Sequence, residues 1–155
     1  MTEIRFYHLQ RQRPEDALPR LLEQALKENI KVVVEAPSRE AIEALDERLW
    51  TFSDESFLPH GLASADDPES QPIVLADDRR NPNGAAWRIL VNGARLLPAI
   101  EAAGEPPAAV LILLFDGADA ESLAAARAQW KEATAAGHAP SYWREDDSGG
   151  WRRDR

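Results

Sequence analysis

At 155 residues, the chain has the length of one domain with a sizeable core, and its longest apolar run, residues 108–115, is too short to span a membrane. Asp and Glu outnumber Lys and Arg by 27 to 18, which argues against a domain whose main activity is phosphate-mediated nucleic-acid binding. Cys is absent and the N-terminus shows no secretory pattern, so we expect a cytoplasmic protein without disulfides or thiolate chemistry.

The first half of the chain alternates strand-like and helix-like segments. Residues 4–9 are apolar and aromatic, and residues 31–35 are short and rich in Val, so both are predicted to be strands. Apolar residues repeat at helical spacing over 14–28, which predicts an amphipathic helix. A second helix is predicted to run from Ser38, its N-cap, to Trp50.

The second half begins with a stretch, residues 51–71, that is predicted to be mostly loop. Three strands are then predicted, at 73–75, 87–91 and 108–115. A short helix or turn is predicted over 95–102, and a long Ala-rich helix over 119–136. Residues 142–151 are predicted to add an edge strand.

Strands that alternate with helices predict an α/β fold, in which helices cover both faces of a central sheet. We expect a single three-layer domain with a mainly parallel or mixed sheet, because βαβ connections make successive strands parallel. This domain is expected to cover residues 1–145, and residues 146–155 are expected to form a polar, frayed tail.

The carboxyl ends of the clearest strands are where an open α/β sheet would bind a nucleotide. The segments 10–14, 35–39 and 116–119 all lack a glycine-rich phosphate turn, so the fold is expected to be Rossmann-like without a phosphate-binding loop. Asp116 and Asp119 offer carboxylates for Mg²⁺, but a turn residue and a helix cap are commoner roles. The three histidines lack ligand spacing, and no cofactor, metal or catalytic residue is predicted.

Two linked motifs in the middle of the chain resemble the signature of a known family. Residues 45–50 have the sequence Leu-Asp-Glu-Arg-Leu-Trp, and Ser-Phe-Leu-Pro-His follows at 56–60. In the chi subunit of the bacterial DNA polymerase III holoenzyme, a helix ends in L-D-x-x-L-W and an S-F-x-P-H segment follows it. The N-terminal Phe6-Tyr7, the second strand and the Ala-Gly end of the last helix also resemble that family.

The resemblance implies an accessory adaptor of DNA replication with no intrinsic catalysis. Chi proteins link the clamp-loader complex to single-stranded DNA-binding protein by gripping the acidic, Phe-terminated C-terminal tail of that protein. Some also pair with the psi subunit through a different surface. Such a tail needs Arg or Lys donors for its carboxylates and an apolar or aromatic pocket for its Phe ring.

Carried over position by position, the resemblance implies a tail pocket made of Trp50, Arg127 and Trp130, with Lys131 at its rim. The first turn of the last helix has Leu123 where the family has a basic residue, so one fewer cation is expected to weaken attraction to an acidic tail. Phe57 is either buried core or part of a second partner surface, for a psi-like subunit or a helicase.

The residues by themselves leave other interpretations open. Trp130 is equally well explained by core packing, and the two cations beside it by an ordinary solvated helix face. A small nucleotide-binding or hydrolytic α/β enzyme would need Glu35 and Asp116 to converge in one cleft. A single-stranded DNA-binding module would use its Trp residues as stacking platforms, in conflict with the acidic balance; the candidates are Trp50, Trp87 and Trp130.

Overall fold

The computed structural model describes residues 2–51, 58–64, 67–78, 80–102, 108–148 and 150–154. The strands are β1 (Glu3–Leu9), β2 (Val32–Glu35), β3 (Gly61–Leu62), β4 (Ile73–Ala76), β5 (Trp87–Leu90), β6 (Val110–Asp116), β7 (Ser141–Glu145) and β8 (Trp151–Arg153). The helices are α1 (Pro14–Lys27), α2 (Arg39–Thr51), α3 (Leu96–Ala102) and α4 (Ala120–Ala135), with a 3₁₀ turn at Pro68–Ser70.

The eight strands found in the described residues belong to one sheet, in the order β3-β4-β2-β5-β6-β1-β7-β8. Neighbouring strands are parallel except β7 and β8, which form an antiparallel hairpin. The predicted α/β class with a mainly parallel or mixed sheet is therefore confirmed. β1 lies inside the sheet, between β6 and β7, although it is the first strand of the chain.

Each face of the sheet is covered by a different pair of helices. On what we call the α1 face, Ile112 and Leu114 of β6 share a core with Leu18 and Leu22 of α1 and with apolar residues of α2. On the opposite α4 face, Leu113 and its neighbours in β6 share a core with α4 and with the start of α3. Alternate residues of a strand point to opposite faces, so β6 fills both cores.

The α4 face of β2 and β4 is covered by a loop instead of a helix. Val33 and Val74 form a small core there with Ala85, and Asn81 closes the loop by accepting a hydrogen bond from the Ala85 amide (2.8 Å). Asn83 is buried and donates to the carbonyl oxygen of Gln71 (3.0 Å), which ties the loop to the sheet.

The helix boundaries agree with the predicted ones to within one or two residues. The Ser38 hydroxyl accepts from the Ala41 amide as an N-cap, Asp119 caps α4, and Gly137 follows α4 with a positive φ of 91°. β3, a two-residue strand, lies in the stretch that we expected to be loop. Within residues 146–155, expected to be frayed, the structure places β8. Among the described residues, no helix combines the length and apolar character of a membrane span.

Candidate functional site

Trp50 lies in the last turn of α2, on the α1 side of the sheet, and is half exposed. Its ring contacts the ring of His60, with 4.3 Å between centroids. His60 is buried, and its two ring nitrogens face the carbonyl oxygen of Leu58 (2.6 Å) and a carboxylate oxygen of Asp46 (3.0 Å). These contacts hold the chain after α2 against that helix.

Trp130 lies on the other side of the molecule. Its ring packs edge-on against Phe6 of β1 (5.2 Å) and against Tyr142 of β7 (5.7 Å), in the core of the α4 face. The sheet therefore separates Trp50 from Trp130, and the structure does not bring them into one pocket. Trp87 packs against the core of the α1 face, so the three Trp residues form no common stacking platform.

Around Trp130 the structure assembles a group of residues that we call the α4–β7 site: His8, Arg127, Trp130, Tyr142 and Arg144. In the parallel register of β1 and β7, Phe6 faces Tyr142 and His8 faces Arg144, so these side chains share the α4 face. The Tyr142 hydroxyl lies 2.6 Å from His8 Nδ1. Arg127 is exposed on α4 and is close enough to act electrostatically on His8.

The α4–β7 site is aromatic at its floor and basic at its edges. Burial lowers the pKa of His8, and the positive charges of Arg144 and Arg127 lower it further, while Asp154 and Asp116 oppose them. His8 is 7% exposed, so its ring is part of the floor.

The lowered pKa of His8 predicts a pH dependence of stability. The unfolded ring takes up its proton near a pKa of about 6.5, while the folded ring resists it, so the free energy of unfolding should fall as the pH drops below that value. Thermal unfolding midpoints from about pH 8 to about pH 5 would measure this. His8→Gln should flatten the profile in that range. A profile of His8→Gln as steep as that of the unaltered chain would contradict the assignment.

The remaining predicted site residues have different positions. Lys131 is exposed on α4, one turn after Arg127, at the rim of the α4–β7 site. Leu123 packs against the core of the α4 face. Phe57 lies outside the described residues, although the neighbouring Leu58 is buried in the core of the α1 face.

Three members of the site, His8, Tyr142 and Arg144, were not anticipated from the sequence. The alternation of Tyr142 and Arg144 along a short strand was visible, and it indicates that both point to one face. The pairing of that strand with β1 was not visible, because nothing local to residues 141–145 specifies which strand lies beside them.

A nucleotide-binding or hydrolytic enzyme would need the carboxylates of Glu35 and Asp116 in one cleft, but they lie in different clefts at the carboxyl ends of the strands. Glu35 lines a cleft of about 400 Å³ and forms an ion pair with buried Arg88. Asp116 lines another, of about 690 Å³, where it accepts a hydrogen bond from the Ala118 amide (2.9 Å), as a turn residue does. Among the described residues, no three potential metal ligands form a cluster.

The comparisons with known proteins agree with the motif resemblance. The family model described as "DNA polymerase III chi subunit, HolC" matches residues 1–141. The chain belongs to the DNA polymerase III chi subunit family. It is 32% identical over 92 residues to the probable DNA polymerase III subunit chi of Rickettsia prowazekii (strain Madrid E), a match that covers 59% of this chain and 56% of the relative.

A second chi-family relative is the DNA polymerase III subunit chi of Pseudomonas aeruginosa, 35% identical over 95 residues, 59% of this chain and 64% of the relative. The chain thus spans less than two thirds of either curated relative in these matches. Both relatives are named as subunits of DNA polymerase III.

Proposed function

We propose that the α4–β7 site captures the acidic, Phe-terminated C-terminal tail of single-stranded DNA-binding protein, and that the chain thereby links the clamp-loader complex to coated single-stranded DNA. One observation carries this proposal: Arg127 and Arg144 flank the half-buried rings of Trp130 and Tyr142 on one face of the sheet. A tail of this chemistry needs both kinds of group side by side.

Each part of the tail has a counterpart in the α4–β7 site. The Phe ring is expected to pack against Trp130 and Tyr142, which already pack edge-to-face with each other. The terminal carboxylate and the neighbouring Asp side chains are expected to accept hydrogen bonds from Arg127 and Arg144, because guanidinium groups bind carboxylates in a two-pronged geometry. Lys131 adds a positive charge at the rim.

Arg144 offers a positive charge in place of the basic residue that is missing from the first turn of α4. The sequence has Leu123 there, and we expected a weaker attraction to an acidic tail. β7 brings Arg144 to the same face of the molecule as Arg127, so a strand supplies a second guanidinium that the helix lacks. The tail would then lie across the boundary between α4 and β7.

The mechanism of this proposed function is reversible capture without bond making. A tail held at the α4–β7 site tethers the clamp loader to coated DNA and raises the local concentration of each near the other. Because the attraction is largely between charges at a surface, the affinity should fall as the salt concentration rises.

A second partner surface is proposed at Trp50, on the opposite side of the sheet from the α4–β7 site. Trp50 is 50% exposed, and it is the one large hydrophobic side chain so exposed among the residues that the structure describes. A half-exposed indole backed by a buried ring is typical of a protein-binding surface. A psi-like subunit or a helicase bound there would leave the tail site accessible, as a bridging role requires.

Arg127→Ala should weaken binding of a synthetic peptide with several Asp residues and a terminal Phe by about tenfold, because it removes one charged donor to a carboxylate. Isothermal titration calorimetry with the full chain measures this directly. Arg20→Ala is the matched control, since Arg20 is exposed on α1, on the opposite face, and its loss changes the net charge equally.

Trp50→Ala should leave the affinity for this peptide unchanged, because the sheet separates Trp50 from the α4–β7 site. If Arg127→Ala and Arg20→Ala lowered the affinity equally, or if Trp50→Ala abolished binding, the tail would bind elsewhere. If no binding of the peptide were detected, the tail-capture function itself would be wrong.

A further inference from the structure

We propose that Asp154 acts as an internal competitor of the tail, holding Arg144 until a carboxylate of the tail displaces it. This inference rests on the function proposed above and concerns the regulation of the same α4–β7 site. It assigns a role in affinity and selectivity to a residue that follows β8 and that no part of the family signature includes.

The geometry places the Asp154 carboxylate on Arg144. Asp154 Oδ2 accepts a hydrogen bond from Arg144 Nε at 2.8 Å, and Oδ1 lies 3.9 Å from Arg152 Nε. The Asp154 amide donates to the carbonyl oxygen of Tyr142 (2.7 Å), so the backbone holds this carboxylate beside a floor residue of the site. An acidic side chain of the chain itself thus occupies the position that a carboxylate of a bound tail would take.

The Asp154–Arg144 pair is both charged and exchangeable. The hydrogen bond from Arg144 is the main cause that lowers the pKa of Asp154, with Arg152 and His8 contributing, so the carboxylate is ionised at neutral pH. The side chains of Arg144 and Asp154 are 36% and 29% exposed, so water and ligands reach the pair. Exposed ion pairs of this kind are weak and exchange readily for another carboxylate.

Competition of this kind makes the site selective. A ligand with a single carboxylate that displaces Asp154 only exchanges one ion pair of Arg144 for another and gains little. A ligand that also binds Arg127 and places an aromatic ring on Trp130 gains contacts that Asp154 does not make. The α4–β7 site therefore favours tails that carry several acidic residues and a terminal ring over isolated anions.

The test compares two variants that change the net charge equally. Asp154→Asn should bind the acidic, Phe-terminated peptide about two- to fivefold more tightly than the unaltered chain, because Arg144 is released. Asp147→Asn is the matched control, since Asp147 lies in the loop between β7 and β8 and pairs with Arg11 (2.8 Å) instead of Arg144. Its affinity should stay close to that of the unaltered chain.

In an Arg144→Gln background, Asp154→Asn should give no further gain. Equal affinities for Asp154→Asn and Asp147→Asn, or a gain that persists without Arg144, would overturn the competitor role while leaving tail capture intact. Absence of peptide binding to the unaltered chain would instead count against the function proposed above.

A measurement on the unaltered chain covers the case in which Asp154→Asn disturbs β8. Carbon-13 NMR of the Asp154 carboxyl group, titrated with and without saturating peptide, should show its pKa rising toward the ordinary Asp value when the tail displaces it. An unchanged titration curve in the presence of bound peptide would show that Asp154 stays on Arg144, and would reject the proposal.

Discussion

Replacement of Arg88 by Met should lower the free energy of unfolding by about 3–5 kcal/mol, as expected when one partner of a buried ion pair is removed. Arg88 Nη2 lies 2.6 Å from Glu35 Oε1, and the two side chains are only 6% and 10% exposed. Methionine fills a similar volume but leaves the Glu35 carboxylate buried without this cation. Arg88 also donates to the carbonyl oxygen of Arg80 (2.8 Å), so the loop over the sheet loses an anchor.

Urea denaturation at neutral pH measures this loss, and Arg95→Met provides the control. Arg95 forms an exposed ion pair with Glu132 (2.9 Å), and such pairs contribute about 0–1 kcal/mol. The double variant Glu35→Gln with Arg88→Met should recover part of the stability, because no charge is then left buried. A cost for Arg88→Met no larger than that for Arg95→Met would show that water reaches the Glu35 carboxylate.

Gly117→Ala is expected to cost about 3 kcal/mol, because the added methyl group has no space. A Cβ at this position would lie far inside contact distance of the His8 ring and 2.7 Å from the carbonyl oxygen of Leu9. The ring has little room to move, since its Nδ1 lies within hydrogen-bonding distance of the Tyr142 hydroxyl and the ring packs at a tilt against Phe115. The Leu9 carbonyl is also fixed, because it accepts from the Gly117 amide (2.8 Å).

Gly150→Ala is the control for this substitution. Its Cβ would meet the carboxylate of Asp146 at 3.2 Å, a contact that needs a shift of only a few tenths of an ångström. His8→Ala combined with Gly117→Ala should recover only part of the loss, because the contact with the Leu9 backbone remains. Thermal unfolding of the unaltered chain, the two glycine variants and the double variant measures these losses of stability. An equal loss for both glycine substitutions would refute the steric explanation.

Much of the fold could be predicted because its signals are local. The run of apolar residues in β6 and the helical spacing of Leu18 and Leu22 in α1 each identify an element without knowledge of the rest of the chain. The capping roles of Ser38 and Asp119 could be predicted too, because each side chain accepts a hydrogen bond from an amide three residues further along the chain. The strand β3 was missed because two residues are too few to show a period.

The candidate site could be predicted only on its helical side. The family resemblance implied Arg127, Trp130 and Lys131, which lie within one stretch of α4. The grouping of Trp50 with Trp130 failed because sequence spacing does not reveal on which face of the sheet a helix packs. Tyr142 and Arg144 joined the site through the pairing of β7 with β1, a contact between distant parts of the chain.

The interior position of β1 has a consequence for how the chain is made. Its residues pair with partners synthesised late: Glu3 faces Val110, and Arg5 faces Ser141. During synthesis on the ribosome, the first strand, with Phe6 and Leu9, therefore has no strand to pair with until most of the chain has emerged. A nascent chain that has not passed β7 cannot assemble the α4–β7 site, so the site forms only after both α4 and β7 have been synthesised.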